Sequence, residues 1–317
     1  MSVRWGILGA GWIVQQATAQ AIHDAPSARL GAVASRDVKR ARKVEPERAY
    51  EKYEQVIDDD SIDAVYIALT NEQHAPWIHR ALAAGKHVLC EKPLTLSAEQ
   101  TRTAFETAAA SDLLLVEAAW SMWHPRMQRI VELASTGALG AISDFLGTFT
   151  FHGVPADNYR LDPTLGGGAL WDVGVYPLHA LVGCIPSDFS FTLEVEQVAS
   201  ESGVDLTTQA RLHMSTGARA SVVASFAMPE SQRLVVRGES GEVRVPDEQA
   251  FTSWREATSL EIDHATEDFA PTDAYRDMFE AVSGRILGRP EWVLPPEASS
   301  RVAALVDAVI AFPSSRR

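Results

Sequence analysis

Two rhythms of apolar residues divide the chain. Up to about residue 118, short continuous apolar runs alternate with stretches of helical spacing. The runs are 3–9, 29–34, 61–69, 86–90 and 113–117. Helical character follows at 15–23, 75–84 and 97–110, the second stopped by Gly85 as a C-cap. Continuous runs of this length mark strands buried on both faces, and their alternation with helices predicts a doubly wound parallel sheet. From Ala141 the period becomes two, in segments 141–151, 191–199, 206–214, 218–226, 233–237 and 242–245. Short turns join them, which predicts a mostly antiparallel sheet with one covered face. Helices return at 273–287 and 297–310. The first carries Tyr275, Met278, Phe279 and Val282 at core spacing. The predicted class is therefore α/β, with residues 1–119 forming the parallel domain and 120–317 an α+β domain.

Composition changes this picture little but excludes several functions. At 317 residues the chain is long for one hydrophobic core, and 46% apolar with 22% charged residues describes an ordinary water-exposed globular protein. A net charge of −14, spread along the chain, argues against nucleic acid as a partner, since phosphate backbones call for a basic surface. Cys90 and Cys184 are distant from each other, so a disulfide scaffold is excluded and a reducing cytoplasm is expected. The N-terminal run is interrupted by Gly6, Gly9 and Gly11 and lacks a basic lead, unlike a signal peptide. No apolar run reaches the ~20 residues of a membrane span.

Candidate chemistry gathers at the carboxyl ends of the predicted parallel strands. The first strand runs into Gly9-Ala-Gly11-Trp12-Ile13-Val14 and then a helix, the Rossmann context in which a dinucleotide pyrophosphate rests on a helix N-terminus. Val14 stands where that fingerprint has Gly or Ala, so strand and helix are expected to pack further apart. The second strand ends in Ser35-Arg36, with Lys39 and Arg40 a turn later. A hydroxyl and a guanidinium suit a 2′-phosphate, where an acid would repel it, so NADP is expected over NAD. Asp37 is expected to cap the next helix. Thr70, Asn71 and His74 follow the third strand, and Glu91-Lys92-Pro93 follows the fourth. Ligands of open parallel sheets bind at such ends. Lys92 is the lysine placed where the cofactor's reactive end arrives.

The second concentration of chemistry is the stretch 166–179, Gly-Gly-Gly-Ala-Leu-Trp-Asp-Val-Gly-Val-Tyr-Pro-Leu-His. At about 100° per residue, Asp172, Tyr176 and His179 share one helical face. Pro177 predicts a kink or break, because it removes one backbone bond and crowds the carbonyl of Val173. The glycines read as room for a bound nicotinamide or substrate. Trp120 and Trp123, at the junction of the two domains, are candidates for a pocket wall. His74, His152 and His179 lack any local ligand pair, and no metal is expected.

These motifs resemble the glucose–fructose oxidoreductase and inositol dehydrogenase family. The resemblance spans essentially the whole chain. It is carried by Gly9-Ala-Gly11, Asn71-x-x-His74, the segment 84–93 ending in Glu-Lys-Pro, and the segment 166–176. Tyr176, four positions after Asp172, is similar to the branch of dimeric dihydrodiol dehydrogenase and NADP-dependent xylose dehydrogenase. Membership implies Lys92 and Tyr176 as the catalytic pair, with Asp172 lining the site, and an open C-terminal sheet that often forms a homodimer face. It further implies a small sugar, polyol or vicinal diol as substrate. Three positions depart from the branch: Val14, Thr70 in place of the usual Pro, and Met122 where close relatives commonly carry Arg. Two alternatives stand beside this expectation. One is a ketoreductase of nucleotide-linked sugars, and the other is a regulator that binds NADP without turnover.

Overall fold

The computed structural model of the protein describes residues 1–185, 190–246 and 248–313. The chain forms two compact units, one of residues 1–120 and 273–300, the other of residues 121–272 together with the stretch from Arg301 onward.

The first unit is built on a six-stranded parallel sheet. Its strands are β1 (Val3–Leu8), β2 (Ala28–Ala34), β3 (Arg48–Tyr50), β4 (Ala64–Ile67), β5 (His87–Glu91) and β6 (Leu115–Ala118). Their order, β3-β2-β1-β4-β5-β6, is the doubly wound arrangement with its switch point between β1 and β4. All four residues of β4 are buried, as a central strand covered on both faces requires. The short edge strand β3 is half-buried and carries no apolar run, which is why it has no signature in the sequence. Five helices belong to this part of the chain: α1 (Ala19–Asp24), α2 (Val38–Arg42), α3 (Glu54–Ile57), α4 (Asn71–Ala83) and α5 (Ala98–Ala110).

The second unit carries α6 (Pro125–Ser135) and α7 (Val175–Cys184) with an eight-stranded sheet. Those strands are β7 (Ile142–His152), β8 (Phe191–Ala199), β9 (Asp205–Met214), β10 (Arg219–Ser225), β11 (Ala227–Gly238), β12 (Glu242–Arg244), β13 (Thr258–Ile262) and β14 (Ala265–Phe269). The order is β14-β13-β12-β11-β7-β10-β9-β8, parallel only between β7 and β10. Alternation sorts the faces: Ala210, Leu212, Val222, Leu234 and Val236 are buried, while Arg211, His213 and Arg219 are exposed between them. On that open side Arg219 pairs with Asp144 at 2.8 Å and Arg211 with Glu196 at 3.1 Å. The helix α6 was not anticipated from the sequence, although its start is marked. His124 caps it by accepting from the Arg126 amide at 3.1 Å, and Pro125 is its first residue.

The helices α8 (Ala274–Ile286) and α9 (Pro296–Ala311) complete the chain. The expected single boundary near residue 119 needs correction here, because residues 273–300 return to the first unit. The apolar stripe of α8 is the reason. Phe279 meets Trp5 edge-on at 5.1 Å and Tyr66 at 5.3 Å, and Ser283 accepts the Trp5 indole N–H at 3.0 Å. On the same helix Glu280 accepts from the Ser27 amide and hydroxyl, both at 2.7 Å. Core-like spacing says that a helix has a buried face and is silent on which sheet buries it. No described helix is long and apolar enough to cross a membrane.

Candidate active site

The turn after β1 combines two different reasons for glycine. Gly9 has φ +103°, and a Cβ there would lie 2.3 Å from the Ala68 carbonyl oxygen. Its glycine relieves a clash within the protein. At Gly11 a Cβ would meet nothing within 4 Å, so the space beside it is open. Trp12 follows, 65% exposed, and begins the helix; the Gly11 carbonyl accepts the Gln15 amide at 3.2 Å, and Gly11 has no side chain to cap that start. An open glycine and an uncapped helix start form the cradle a pyrophosphate takes. Val14 is fully buried, and the helix is widened to a π turn over Val14–Thr18. The larger side chain thus enters the core as the first residue of a widened turn.

At the end of β2, Ser35 is buried and its hydroxyl accepts the Asp37 amide at 3.3 Å. Asp37 accepts the Lys39 amide at 3.0 Å and caps α2, as expected. Its carboxylate is engaged with its own helix, while Arg36, Lys39 and Arg40 are exposed.

Lys92 is half-buried and joined to Pro93 by a cis peptide bond. The turn is braced from beneath by buried polar groups. Glu117 accepts the Leu94 amide at 3.0 Å, and Glu91 accepts both the Tyr66 hydroxyl and the Lys92 amide, the latter at 3.3 Å. Burial raises the pKa of Glu91, an effect that the Lys92 ammonium partly offsets. His74 is fully buried, with Nδ1 2.7 Å from the Pro93 carbonyl and Nε2 3.2 Å from that of Leu69. Burial lowers its pKa, which favours a neutral ring that donates from one nitrogen only. The shorter contact is the natural hydrogen bond, and it makes His74 a support for the lysine turn. Asn71 is buried at the start of α4, and the Thr70 hydroxyl donates to Glu72 at 2.8 Å. Trp120, also in the first unit, stacks on Tyr275 at 5.1 Å.

In the second unit the expected polar stripe takes another form. Leu170–Gly174 is a π turn that leads into α7. The irregularity anticipated at Pro177 lies upstream in that turn, and the helix continues without a break to Cys184. Gly174 already has helical backbone (φ −67°, ψ −25°), so Pro177 lies inside one continuous helical run, three residues past the widened turn. Asp172 and His179 are buried, whereas Tyr176 is the one side chain between Leu170 and Cys184 that is not. Its ring is held by Phe149 at 5.5 Å and Phe251 at 6.1 Å. A helix apolar all round is a buried helix, so a half-exposed phenol on it marks an opening. Trp123 and Met122 are buried, and the Met122 methyl lies 3.3 Å from where a Cβ on Gly183 would stand. Met122 therefore packs against α7.

Two glycines of the run, Gly167 and Gly168, make way for the protein's own chain. A Cβ at Gly167 would lie 2.5 Å from the Arg160 carbonyl oxygen, and one at Gly168 would lie 2.3 Å from Asp205 Oδ1. Two residues with no distinctive pattern in the sequence are thereby brought to this helix. Arg160 donates from Nε to Asp172 Oδ2 at 2.6 Å. Burial works to lower its pKa, but Asp172, Tyr159 and Tyr176 together outweigh that and the net shift is upward. Asp205 accepts the Leu170 amide at 2.9 Å and the Thr208 hydroxyl at 2.6 Å, at the entrance of the π turn.

Burial pushes the Asp205 carboxyl up to about 6. Because the folded value exceeds the unfolded one, the stability this group contributes is present below pH ~4 and is lost as pH rises through about 6. The linkage amounts to roughly 3 kcal/mol. Asp205→Asn, which keeps an acceptor for the Leu170 amide, is expected to lose less stability than the wild type between pH 4 and 7. Urea midpoints at the two pH values measure this, and equal losses would refute it.

Among the described residues no cluster of His, Cys, Asp or Glu could hold a metal ion. Residues 3–118 match the model of an oxidoreductase family with an NAD-binding Rossmann fold, and residues 127–244 match the C-terminal domain of the same GFO/IDH/MocA family. D-xylose 1-dehydrogenase (NADP(+)) 2 of Haloferax volcanii is 35% identical, over 96% of this chain and 95% of its own. A dTDP-3,4-didehydro-2,6-dideoxy-α-D-glucose 3-reductase of Actinomadura kijaniata is 31% identical, over 97% and 94%. The crystal structure of the 3-ketoreductase KijD10 from Actinomadura kijaniata, in complex with NADP and TDP-benzene, superposes with a TM-score of 0.87. It is 29% identical and covers 98% of this chain and 97% of that one.

Proposed function

The chain belongs to the GFO/IDH/MocA oxidoreductase family, and we propose that it transfers a hydride between NADP and a sugar, a sugar derivative or a related vicinal diol. The observation that carries the chemistry is Tyr176, the half-exposed phenol on an otherwise buried helix. Bound NADP(H) supplies or takes the hydride. Open space at Gly11 and the helix start at Trp12 would hold its pyrophosphate, and Ser35 and Arg36 its 2′-phosphate.

Tyr176 exchanges a proton with the substrate hydroxyl or carbonyl. An unperturbed phenol titrates near ~10, and a neighbouring ammonium favours the phenolate. Lys92 supplies that charge and stabilises negative charge developing on the substrate oxygen. Asp172 orients the polyol. A panel of aldoses and diols with NADP tests this reading. Tight NADPH binding without turnover on any of them would favour a regulator instead.

A second reading, reduction of a nucleotide-linked keto sugar, is favoured by the likeness to the 3-ketoreductase. The buried Met122, packed against α7, brings no cation for a diphosphate. Faster turnover of a dTDP-linked keto sugar than of any free sugar would select this alternative.

Cofactor choice is separately testable. Arg36→Ala is expected to weaken NADPH binding by at least about tenfold, the loss of a charge-assisted contact, and to leave NADH nearly unchanged. Titration of cofactor fluorescence measures both constants, and equal losses would show that Arg36 does not read the phosphate.

A further inference from the structure

Arg160 was not among the residues singled out from the sequence, yet much of the local chain is arranged around it. It lies in the 3-10 turn Tyr159–Leu161, which Asn158 caps by accepting the Arg160 amide at 3.0 Å. Its carbonyl accepts the Gly168 amide at 2.9 Å, and the missing side chain at Gly167 lets the backbone close against that carbonyl. The glycine run thus fixes where the arginine begins. The side chain passes over the Tyr159 ring, with Cζ 4.9 Å from the centroid, and ends on Asp172 at 2.6 Å. Asp172 is 10% exposed and Arg160 31%, so the carboxylate is the enclosed member of the pair. The phenol of Tyr176 also acts electrostatically on the guanidinium.

We propose that Arg160 is a positioning residue of the reaction described above, holding the Asp172 carboxylate in place and cancelling its charge beside Tyr176. The role depends on Tyr176 carrying the proton, as proposed. An enclosed carboxylate without a partner would oppose ionisation of a neighbouring phenol, and a paired one does not. On the elements packed with the helix that carries the phenol, the turn before the glycines supplies Arg160 and Tyr159, and the π turn supplies Asp172. The helix α7 itself carries His179, β9 brings Asp205 to its start, and β7 and the segment near Phe251 bring the rings of Phe149 and Phe251. Of these groups Arg160 and Asp172 are the charged pair bonded to each other.

The test compares Arg160→Met, Arg160→Lys, Asp172→Asn and the double variant Arg160→Met/Asp172→Asn. Each is first checked for native circular dichroism and NADPH affinity. With a substrate the wild type turns over, Arg160→Met is expected to lower kcat by about 10- to 100-fold. It should also move the pH at which kcat reaches half its plateau upward by about one unit or more. Arg160→Lys, which keeps the charge, should move that pH less. Adding Asp172→Asn to Arg160→Met should bring it back toward the wild-type value, because the unpaired carboxylate is gone. A lower kcat with an unmoved pH profile in Arg160→Met, or a shift that Asp172→Asn does not reverse, would overturn the proposal. If Tyr176→Phe proves fully active, the underlying assignment fails. If it is inactive while the Arg160→Met profile stays in place, only the role of Arg160 is lost.

Discussion

Tyr176→Phe is expected to lower kcat by about 10²- to 10⁴-fold, the usual contribution of a positioned acid–base group. The substitution removes one oxygen and leaves the ring, so the contacts with Phe149 and Phe251 that hold the side chain persist. The helix beneath it is anchored independently, by Gly147 and Gly174. Each is a glycine because a Cβ would crowd an apolar neighbour: Pro177 in one case, Leu170 and Ala224 in the other. Folding and cofactor affinity should therefore stay near wild type. Steady-state kinetics beside an NADPH titration checks both. A kcat within threefold of wild type would remove Tyr176 from the mechanism.

Replacing Lys92 with alanine should cost about 10²- to 10³-fold in kcat, the scale of losing one stabilising donor at a developing oxyanion. The turn that carries Lys92 should survive, because the Pro93 carbonyl, the Leu94 amide and Glu91 keep their bonds to His74, Glu117 and Tyr66. One local change is expected: without the ammonium, burial acts on Glu91 with less opposition and its pKa rises further. Cofactor affinity should change little, since the open turn at Gly11 and the cations after β2 are untouched. The double variant Lys92→Ala/Tyr176→Phe then asks whether the two act as a unit. Residues that share one step show strongly non-additive losses, so the double should be little worse than the worse single. Losses that multiply would mean that the lysine and the tyrosine act separately.

Much of this protein was legible as pattern. The apolar runs located β1, β2, β4, β5 and β6, and the change to alternation located β7 to β12. Glycine at 9, the cap at Asp37 and the cationic end of β2 were equally readable, because each follows from the backbone or charge demands of a few adjacent residues. Elements with little apolar content escaped: β3, at the sheet edge, and β13 and β14, whose residues are half-buried or exposed in most positions.

The candidates for the site could be named from the sequence, and their arrangement could not. Lys92 and Tyr176 were singled out by their place in short motifs, together with Asp172. The sequence alone could not show that α8 joins the first unit, since Phe279 records a need for burial and not the identity of Trp5 as its partner. Nor could it show that Gly167 and Gly168 make way for Arg160 and Asp205, residues 7 and 37 positions from them in the chain. Composition and periodicity report what each residue needs locally: burial, a cap, a turn. Which distant group meets that need is decided when the chain closes on itself, and the pairing of Arg160 with Asp172 exists only there.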